Sequence, residues 1–371
     1  MNNPLQGAHS AGVPWNKIVQ TFMQLEWTDI EHEVTSEESR LRLDIFLSRK
    51  YPVINREGWQ ERIHAGHVRL NGETVKPSRK LQPGDHIWIE YQKKKEPEVE
   101  SHIEIIFRDR CLLIVNKPSN LPVHPSGIYH RNTLQHILTE KLTENSDEPY
   151  KVRPVHRLDR ETSGLMLLAE SQDCARELSR LMRHGGLEKE YLVIVEGQFP
   201  EGRTEDGWLE AAGWIGPDPE SEVKKKQRFW QAPEGRNPAA EQFLATLKGR
   251  KDAPPADHLG RRACHTDFRC LRRTTQLSLL QCRLHTGRMH QIRATLHGMG
   301  YPVVGDRLYG FDPKQYLRFI HDVETAEQLS RLRMDRVALH SHILRFIHPQ
   351  SKEALEFVCD LPLDMKIVMD Q

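Results

Sequence analysis

The sequence of 371 residues lacks a strong charge excess, a long apolar run and any recognisable cysteine framework. Lys and Arg number 53 against 52 Asp and Glu, which leaves a formal net charge of +1. No apolar run approaches the roughly 20 residues that cross a bilayer, and residues 1–23 lack the basic start and apolar centre of a secretion signal. These absences argue against a membrane-spanning or exported protein, and we expect a cytoplasmic one.

Metal-ligand patterns are also missing. The six cysteines are scattered without a Cys-x-x-Cys pair, so free thiols in a reducing compartment are expected. Histidine is frequent, with 20 residues, but no carboxylate or thiol completes a ligand set beside the close histidine pairs at a recognisable spacing. We therefore predict no metal site. The pairs are His64/His67, His285/His290 and His340/His342.

The composition that is present, 37% hydrophobic and 28% charged residues, is typical of a globular protein, and the length suggests two domains. The average charge hides one basic region, residues 40–95. Thirteen Lys and Arg stand there against six Asp and Glu, a local net charge of +7. Such a region favours a polyanionic partner, with a solvated charged surface as the plainer alternative.

Residues 40–95 carry the pattern of a small α+β domain. Three apolar residues recur at helical spacing from Leu43 onward, and Asn55 can cap a second helix. Short strands follow at residues 68–70 and 86–90, separated by an Asn-Gly turn and a Pro-Gly-Asp corner.

In this order the elements resemble the S-four-like RNA-binding domain, first known from a small-subunit ribosomal protein. The resemblance implies structured RNA as the partner, with Lys and Arg side chains neutralising phosphates. Residues 1–39 carry no such motif and are interpreted as an N-terminal extension. The basic residues implied as RNA contacts are Arg42, Arg56, Arg62, Arg69 and Lys76.

A hydrophilic linker near residues 93–97 precedes a second, larger domain, residues 101–371. Strand-like apolar segments alternate with helical ones, such as residues 173–183, which predicts a mixed α+β fold. Residues 236–259 are rich in Pro, Gly, Ala and charge and are interpreted as a surface insertion. The strand-like segments are 112–118, 165–171, 191–197 and 277–284.

The most informative segment is PVHRLDRETSGLMLLAES, in which Asp159 lies among arginines before an apolar strand. An Asp between arginines is by itself more often a surface ion pair. Here HRLD is followed by TSG, and the segment resembles the catalytic motif of the RluA-type pseudouridine synthases. Further matching segments extend the resemblance over residues 103–349. They are LLIVNKPSNLPVHPSG, KEYLVIVEG, HTGRMHQIRATLHGMGYPVVGDRLYG and RVALHSHILRFIHP.

The sequence departs from the family at two places. The insertion at residues 236–259 is longer than the usual connection, and Asn120 stands where the family commonly has Gly. The resemblance implies a mixed, largely antiparallel sheet with flanking helices. It also implies a reaction that breaks the uracil N1 to ribose C1′ bond, turns the base and rejoins it through C5. Because no atom is added or lost, no cofactor is expected.

One ionised carboxylate suffices for this reaction, either as a nucleophile at C1′ or as a base that promotes elimination at C2′. The resemblance gives this role to Asp159, and it gives Arg288 the role of the cation that keeps the carboxylate ionised against desolvation. Tyr191 is implied to stack on uracil and to move a proton. The plainer alternatives are a surface arginine and a core tyrosine.

A uridine inside folded RNA must leave its stack before C1′ can be reached. Arg157, two residues from Asp159, is the candidate that fills the gap, because a planar guanidinium can stack where a base was. A phosphate contact would require the same residue type.

We thus predict a monomeric RNA pseudouridine synthase, with large-subunit ribosomal RNA as the expected target and transfer RNA as the alternative. Two other classes stay open. One is a non-catalytic RNA-binding or ribosome assembly protein. The other is a nucleoside or glycoside hydrolase, which would need a second carboxylate or a metal near Asp159.

Overall fold

The computed structural model describes residues 25–51, 54–94, 96–144, 150–247, 260–321 and 323–371. The chain divides into two compact units, Met1–Pro97 and Glu98–Gln371. Among the described residues, no helix combines the length and the apolar character that a membrane crossing requires.

The small unit is a three-stranded antiparallel sheet, in the order β1-β3-β2, with two helices that share its core. Asn55 caps the second helix by accepting a hydrogen bond from the Gly58 N–H, as the sequence predicts. Asn71 and Gly72 both have positive φ, which a two-residue hairpin turn requires. The elements are β1 (Leu25–Glu33), α1 (Leu43–Lys50), α2 (Arg56–His64), β2 (Val68–Leu70) and β3 (His86–Lys94).

Strand β1 corrects the predicted N-terminal extension. Residues 25–33 were placed in that extension, but they pair with β3 along its whole length, and the neighbouring Val34 is buried in the core of this unit. The signal is hidden in the sequence because the apolar alternation of Leu25 and Trp27 breaks at Asp29. The small unit therefore contains one strand more than its motif predicts.

The large unit is built on an eleven-stranded sheet in the order β10-β9-β11-β12-β8-β13-β7-β5-β4, with β14 beside β13 and β6 beside β7. Of the described ladders, the pairing of β13 with β7 is parallel and the others are antiparallel. The predicted α+β class with a largely antiparallel sheet is confirmed. The strands are β4 (Glu104–Arg108), β5 (Leu112–Lys117), β6 (Arg153–Pro154), β7 (Ser163–Ala169), β8 (Leu187–Glu196), β9 (Trp208–Pro217), β10 (Gln227–Gln231), β11 (Arg262–Arg273), β12 (Leu277–Leu284), β13 (Leu339–Ile347) and β14 (Ala354–Val358).

Helices cover the sheet of the large unit, and its central strands are buried on both faces. Alternate residues of β5 and β7 belong to two different apolar clusters, which explains why both strands are apolar throughout their sequence. One helix, α5, begins inside the predicted insertion of residues 236–259, of which residues 248–259 lie outside the described part. The helices are α3 (Leu134–Thr143), α4 (Gln172–Arg183), α5 (Pro238–Leu247), α6 (Gln291–Gly298), α7 (Gln315–Ile320), α8 (Ala326–Arg331) and α9 (Leu363–Asp370).

Candidate active site

The loop between β6 and β7 carries Asp159 and is held by backbone contacts to the segment after β5. The Arg160 carbonyl accepts hydrogen bonds from the Leu121 N–H at 3.1 Å and from Lys117 Nζ at 3.2 Å. Lys117 is fully buried and also donates to the carbonyls of Pro118 and Leu121. Burial lowers the pKa of Lys117 to about 7, but an ammonium matches three carbonyl acceptors with three N–H donors. Lys117 therefore braces the loop that presents Asp159.

Gly164, in the TSG motif, brings this loop next to Tyr191. Gly164 has φ +107°, and a Cβ there would lie 2.2 Å from the Ser341 carbonyl oxygen, so a larger residue would part the strands. Gly164 is in register with Ser341 of β13, and Ser341 is in register with Tyr191 of β8. The glycine thus permits the close parallel contact that sets Tyr191 across from the Asp159 loop.

Asp159 is paired with Arg293 of α6. Arg293 Nη1 donates to Asp159 Oδ2 at 2.8 Å, and the Asp159 side chain keeps 23% of its surface exposed. The other face of the same guanidinium makes two hydrogen bonds to Asp306, at 2.6 and 2.9 Å. Arg293 is therefore oriented by one carboxylate and offered to another.

The anchor Asp306 is itself fixed by the backbone. Its Oδ1 accepts hydrogen bonds from the N–H groups of Leu308 and Tyr309, both at 2.9 Å. The preceding Gly305 has φ +76°, and a Cβ there would lie 1.9 Å from the Arg336 carbonyl oxygen. The VVGD segment of the sequence is thus needed to position Arg293.

The prediction that Arg288 neutralises Asp159 is wrong in this structure. Arg288 lies in the loop before α6, and its Nε donates to the Ala263 carbonyl at 3.0 Å. Arg293 lies five residues later, on the buried face of the first turns of α6, and reaches the carboxylate instead. Both arginines belong to the HTGRMHQIR motif, and the motif alone does not specify which of them faces the carboxylate.

The electrostatic surroundings favour an ionised Asp159. Burial by itself would raise the pKa of the carboxyl, but the neighbouring His290 and Arg293 outweigh burial and lower it below the ordinary 3.8. Arg293 carries the charge at neutral pH, because burial lowers the pKa of His290 to about 4. Asp159 is therefore an anion at neutral pH, although most of its surface is covered.

His290 lies beside this ion pair as a neutral imidazole. Its Nδ1 is 2.9 Å from the Tyr309 hydroxyl, which accepts a hydrogen bond from the Gln227 N–H at 2.8 Å. His290 Nε2, the other ring nitrogen, lies 3.9 Å from Asp159 Oδ2.

Tyr191 is buried with 5% of its surface exposed. Burial raises the pKa of its hydroxyl, the charge of Asp159 raises it further, and the neighbouring Ser341 side chain opposes both. The phenol therefore keeps its proton at neutral pH and lies close enough to Asp159 for the carboxylate charge to act on it. Such a group can stack on a base and can donate a proton.

A sequence profile described as RNA pseudouridylate synthase matches residues 111–298, about half of the chain, and one described as S4 domain matches residues 41–87. An uncharacterized RNA pseudouridine synthase of Aquifex aeolicus (strain VF5) is 31% identical and covers 91% of this chain and 95% of its own length. The chain belongs to the RNA pseudouridylate synthase family. It is an isomerase that acts on RNA, and both resemblances noted in the sequence are confirmed.

One further curated relative and one solved structure are also similar to this chain. Ribosomal large subunit pseudouridine synthase D of Nitrosomonas europaea (strain ATCC 19718 / CIP 103999 / KCTC 2705 / NBRC 14298) is 29% identical over 92% of this chain and 87% of its own. The solved structure of human RNA Pseudouridylate Synthase Domain Containing 1 is 22% identical and covers 72% of this chain and 86% of its own, with a TM-score of 0.48.

Arg157 of this synthase points away from the core and is exposed. Its charge contributes to the lowered pKa of Asp159, which locates it near the carboxylate. An exposed guanidinium near Asp159 is compatible with base extrusion, and that role of Arg157 stays a prediction.

Three of the basic residues predicted to contact RNA are engaged inside the small unit. Arg42 and Arg56 both donate to the buried Asp44 at 3.0 Å, and Arg62 donates to the Glu90 carbonyl at 2.7 Å. Their side chains thus stabilise the two-helix arrangement. Contact of their exposed edges with RNA stays a prediction.

The other two predicted contacts, Arg69 and Lys76, are exposed. The Arg69 guanidinium lies 4.9 Å from the centre of the Trp88 ring, so a flat cation and an aromatic surface are presented together. Such a pair suits an RNA backbone or an unstacked base.

One group that sequence reasoning missed could hold a metal ion. The Asp267 carboxylate accepts hydrogen bonds from His265 Nε2 at 2.9 Å and His285 Nε2 at 2.7 Å, and one ligand atom of each lies within 4.8 Å of the others. The sequence places His285 near His290, but the fold brings it beside His265 and Asp267, which lie twenty and eighteen positions earlier. The two imidazole rings are stacked at 4.0 Å, and both direct their Nε2 to the carboxylate. This arrangement satisfies all three side chains by hydrogen bonds.

Proposed function

We propose that this synthase isomerises uridines of large-subunit ribosomal RNA with Asp159 as its catalytic carboxylate. The observation that carries the proposal is the ion pair of Asp159 with Arg293, which keeps one carboxylate oxygen engaged. Among the described residues, no donor contacts Oδ1, the second oxygen. An ionised, partly exposed carboxylate with one unoccupied oxygen beside Tyr191 is suited to attack or to proton removal.

The reaction begins when the target uridine leaves its stack and Arg157 fills the gap. Asp159 then acts at the sugar. As a nucleophile it displaces N1 from C1′, and as a base it takes the C2′ hydrogen while N1 leaves. In either route the electron pair of the broken bond stays on uracil, which turns over Tyr191 and rejoins C1′ through C5. This bond formation displaces the Asp159 carboxylate from C1′ in the first route, and in the second it is accompanied by return of the proton from Asp159 to C2′. The C5 hydrogen is lost to water and N1 gains a proton.

The hydrolase alternative lacks its second carboxylate in the described part of the chain. Glu161 is the nearest acidic residue in sequence, but it is engaged with Arg160 at 3.0 Å. Asp306 is saturated by Arg293 and two backbone N–H groups. Neither is available to activate a water molecule, so retention of the detached uracil is favoured over its hydrolytic release.

Ribosomal RNA is supported as the target by the names of relatives. Ribosomal large subunit pseudouridine synthase D of Nitrosomonas europaea and synthase C of Haemophilus influenzae (strain ATCC 51907 / DSM 11121 / KW20 / Rd) align over 92% and 91% of this chain, at 29% and 26% identity. Both names specify the large subunit.

The test is tritium release from RNA labelled at uridine C5, with separate ribosomal and transfer RNA fractions from cells that lack the gene. Release from ribosomal RNA by the wild type and none by Asp159→Asn is expected. Tritium release from transfer RNA alone would identify transfer RNA, and not ribosomal RNA, as the substrate. Free uracil as the product would favour a hydrolase. Deuterium at C2′ of the target uridine then separates the two routes, because a primary isotope effect arises if that hydrogen is removed.

A further inference from the structure

A second buried cation, Lys189, lies in the same part of the large unit and has no part in the chemistry described above. Its side chain is 8% exposed and lies on β8, two residues before Tyr191. Among the described residues, no hydrogen bond and no ion pair involves its ammonium group, and burial alone shifts its pKa, downward. Lys117, by contrast, has no exposed surface, and it donates hydrogen bonds to three carbonyls.

Two observations locate the Lys189 ammonium. A Cβ built on Gly287 would lie 3.7 Å from Nζ, so the amine reaches the HTGR loop before α6. The charge of Lys189 also helps to lower the pKa of His156, in the HRLD loop, to about 3, with burial as the larger cause. Lys189 therefore lies between the two loops that carry the catalytic motifs.

The strand geometry relates Lys189 to the reacting base. Residues two apart on a strand point to the same face, and their Cα atoms are roughly 7 Å apart. Tyr191 adjoins Asp159, so Lys189 lies one strand repeat away from the position of uracil on the same face. This separation is comparable to the reach from a base to the phosphate of its own nucleotide.

A buried ammonium without a partner is unfavourable, because its lost hydration is not replaced. Among the described residues, no carboxylate pairs with the Lys189 ammonium in place of water. The neighbouring His156 cannot accept a hydrogen bond from it either. His156 is neutral, and its Nε2 accepts a hydrogen bond from the Leu167 N–H. Among the described residues, Nζ is not one of the fully covered polar atoms that lack a partner, so it stays accessible to a ligand that enters between the loops. A singly charged oxyanion fits an ammonium with three donors.

We propose that Lys189 binds a backbone phosphate of the extruded uridine and so holds the nucleotide while its base is detached. This inference rests on the proposed function for the identity of the ligand. Gly287 contributes by lacking a side chain, which leaves the space beside Nζ open. Once the sugar is tethered through its phosphate, C1′ stays over Asp159 while uracil turns.

The test compares Asp159→Asn with the double variant Asp159→Asn/Lys189→Met, so that neither turns over. The probe is full-length large-subunit ribosomal RNA made by transcription, which carries no modification. Binding is measured across a salt series. Loss of one phosphate contact lowers the slope of log affinity against log salt by about 0.7–0.9. Lys151→Met in the same background removes an exposed lysine as the matched control, and its slope should not change.

An unchanged slope for the Lys189→Met variant overturns the inference. A loss of affinity that is equal at every salt concentration also overturns it, because that pattern indicates a changed shape and not a lost charge contact. The thermal midpoint identifies misfolding: removal of an unpaired buried charge should leave it equal or higher. If the wild type releases no tritium from any RNA but the slope still falls, the proposed function fails and the phosphate contact stands.

Discussion

Each of the two units contains an aspartate held by arginine, and the difference between them separates a structural carboxylate from the one that we propose to be catalytic. Asp44 of the small unit has no exposed surface, and Arg42, Arg56 and Gln60 contact both of its oxygens. Asp159 of the large unit is 23% exposed and is held through one oxygen by Arg293. A saturated carboxylate stabilises a fold, whereas a half-saturated one is available to a substrate.

The same contrast extends to the arginines. Arg42 and Arg56 are 39% and 51% exposed, so water shares in their charge and weakens each pair. Arg293 is 9% exposed and is shared between Asp159 and Asp306, so its field acts through a poorly screened interior. Substitutions around Asp44 should therefore lower the free energy of unfolding of the small unit. Substitutions around Asp159 should lower the reaction rate.

The largest effect is expected for Arg293→Gln. Asp159 loses its counterion, and the rate of tritium release should fall about 10²- to 10³-fold, as when a preorganised electrostatic group is removed. The matched variant Arg288→Gln removes an arginine of the same motif that contacts the Ala263 carbonyl, and a much smaller fall is expected. Partial rescue by Arg293→Lys would support a role of charge, and equal losses at both positions would contradict the assignment.

Asp44→Asn should act on stability. Replacing this carboxylate leaves two arginines without their shared acceptor, and the free energy of unfolding of the small unit should fall by about 2 kcal/mol. This figure is below that for a fully buried pair, because Arg42 and Arg56 are partly exposed. Denaturant unfolding of the full chain measures it. The rate at saturating RNA should not change, and a lower rate there would mean that the small unit takes part in chemistry.

The pH dependence of the rate tests the same contrast. A carboxyl whose pKa is lowered in the folded state contributes stability above its unfolded pKa, and that stability is lost as the pH falls through the folded value. Asp159 has such a lowered pKa, and His290 stays neutral above about pH 4. The wild-type rate should therefore show no acidic limb above about pH 5. In Arg293→Gln, burial is no longer opposed by the guanidinium, so an acidic limb should appear at higher pH.

Much of the catalytic unit could be predicted from sequence because its motifs are local. HRLD and TSG lie within nine residues, and the apolar runs of β5 and β7 follow from burial on both faces. The placement of Tyr191 beside the Asp159 loop needed the register of three strands, which periodicity does not specify. It came from the family resemblance.

The identity of the arginine that pairs with Asp159 could not be predicted from the sequence. It depends on which side chain of the short helix α6 faces the interior. Arg288 and Arg293 share one motif, but Arg288 makes its contact from the loop before α6, whereas Arg293 lies in the first turn of α6 and makes the ion pair. The cluster of His265, Asp267 and His285 has a similar origin, because two antiparallel strands join residues that are distant in sequence. Strand β1 could not be predicted for a local reason. The alternation of apolar and polar residues that indicates a strand is interrupted in it by charged side chains.

The smallest effect is expected where the small unit presents its exposed cations. Arg69→Ala and Lys76→Ala remove side chains that make no ion pair within the described residues, so stability should stay within about 0.5 kcal/mol. Each should weaken RNA binding only a few-fold at moderate salt and lower the slope of log affinity against log salt by about 0.9 if it contacts a duplex phosphate. Arg56→Ala is the contrasting variant, because it also removes a donor of Asp44 and should lower stability as well as affinity. If Arg69→Ala weakens binding without changing the slope, the guanidinium and Trp88 act together as a surface for base stacking and not as a phosphate contact.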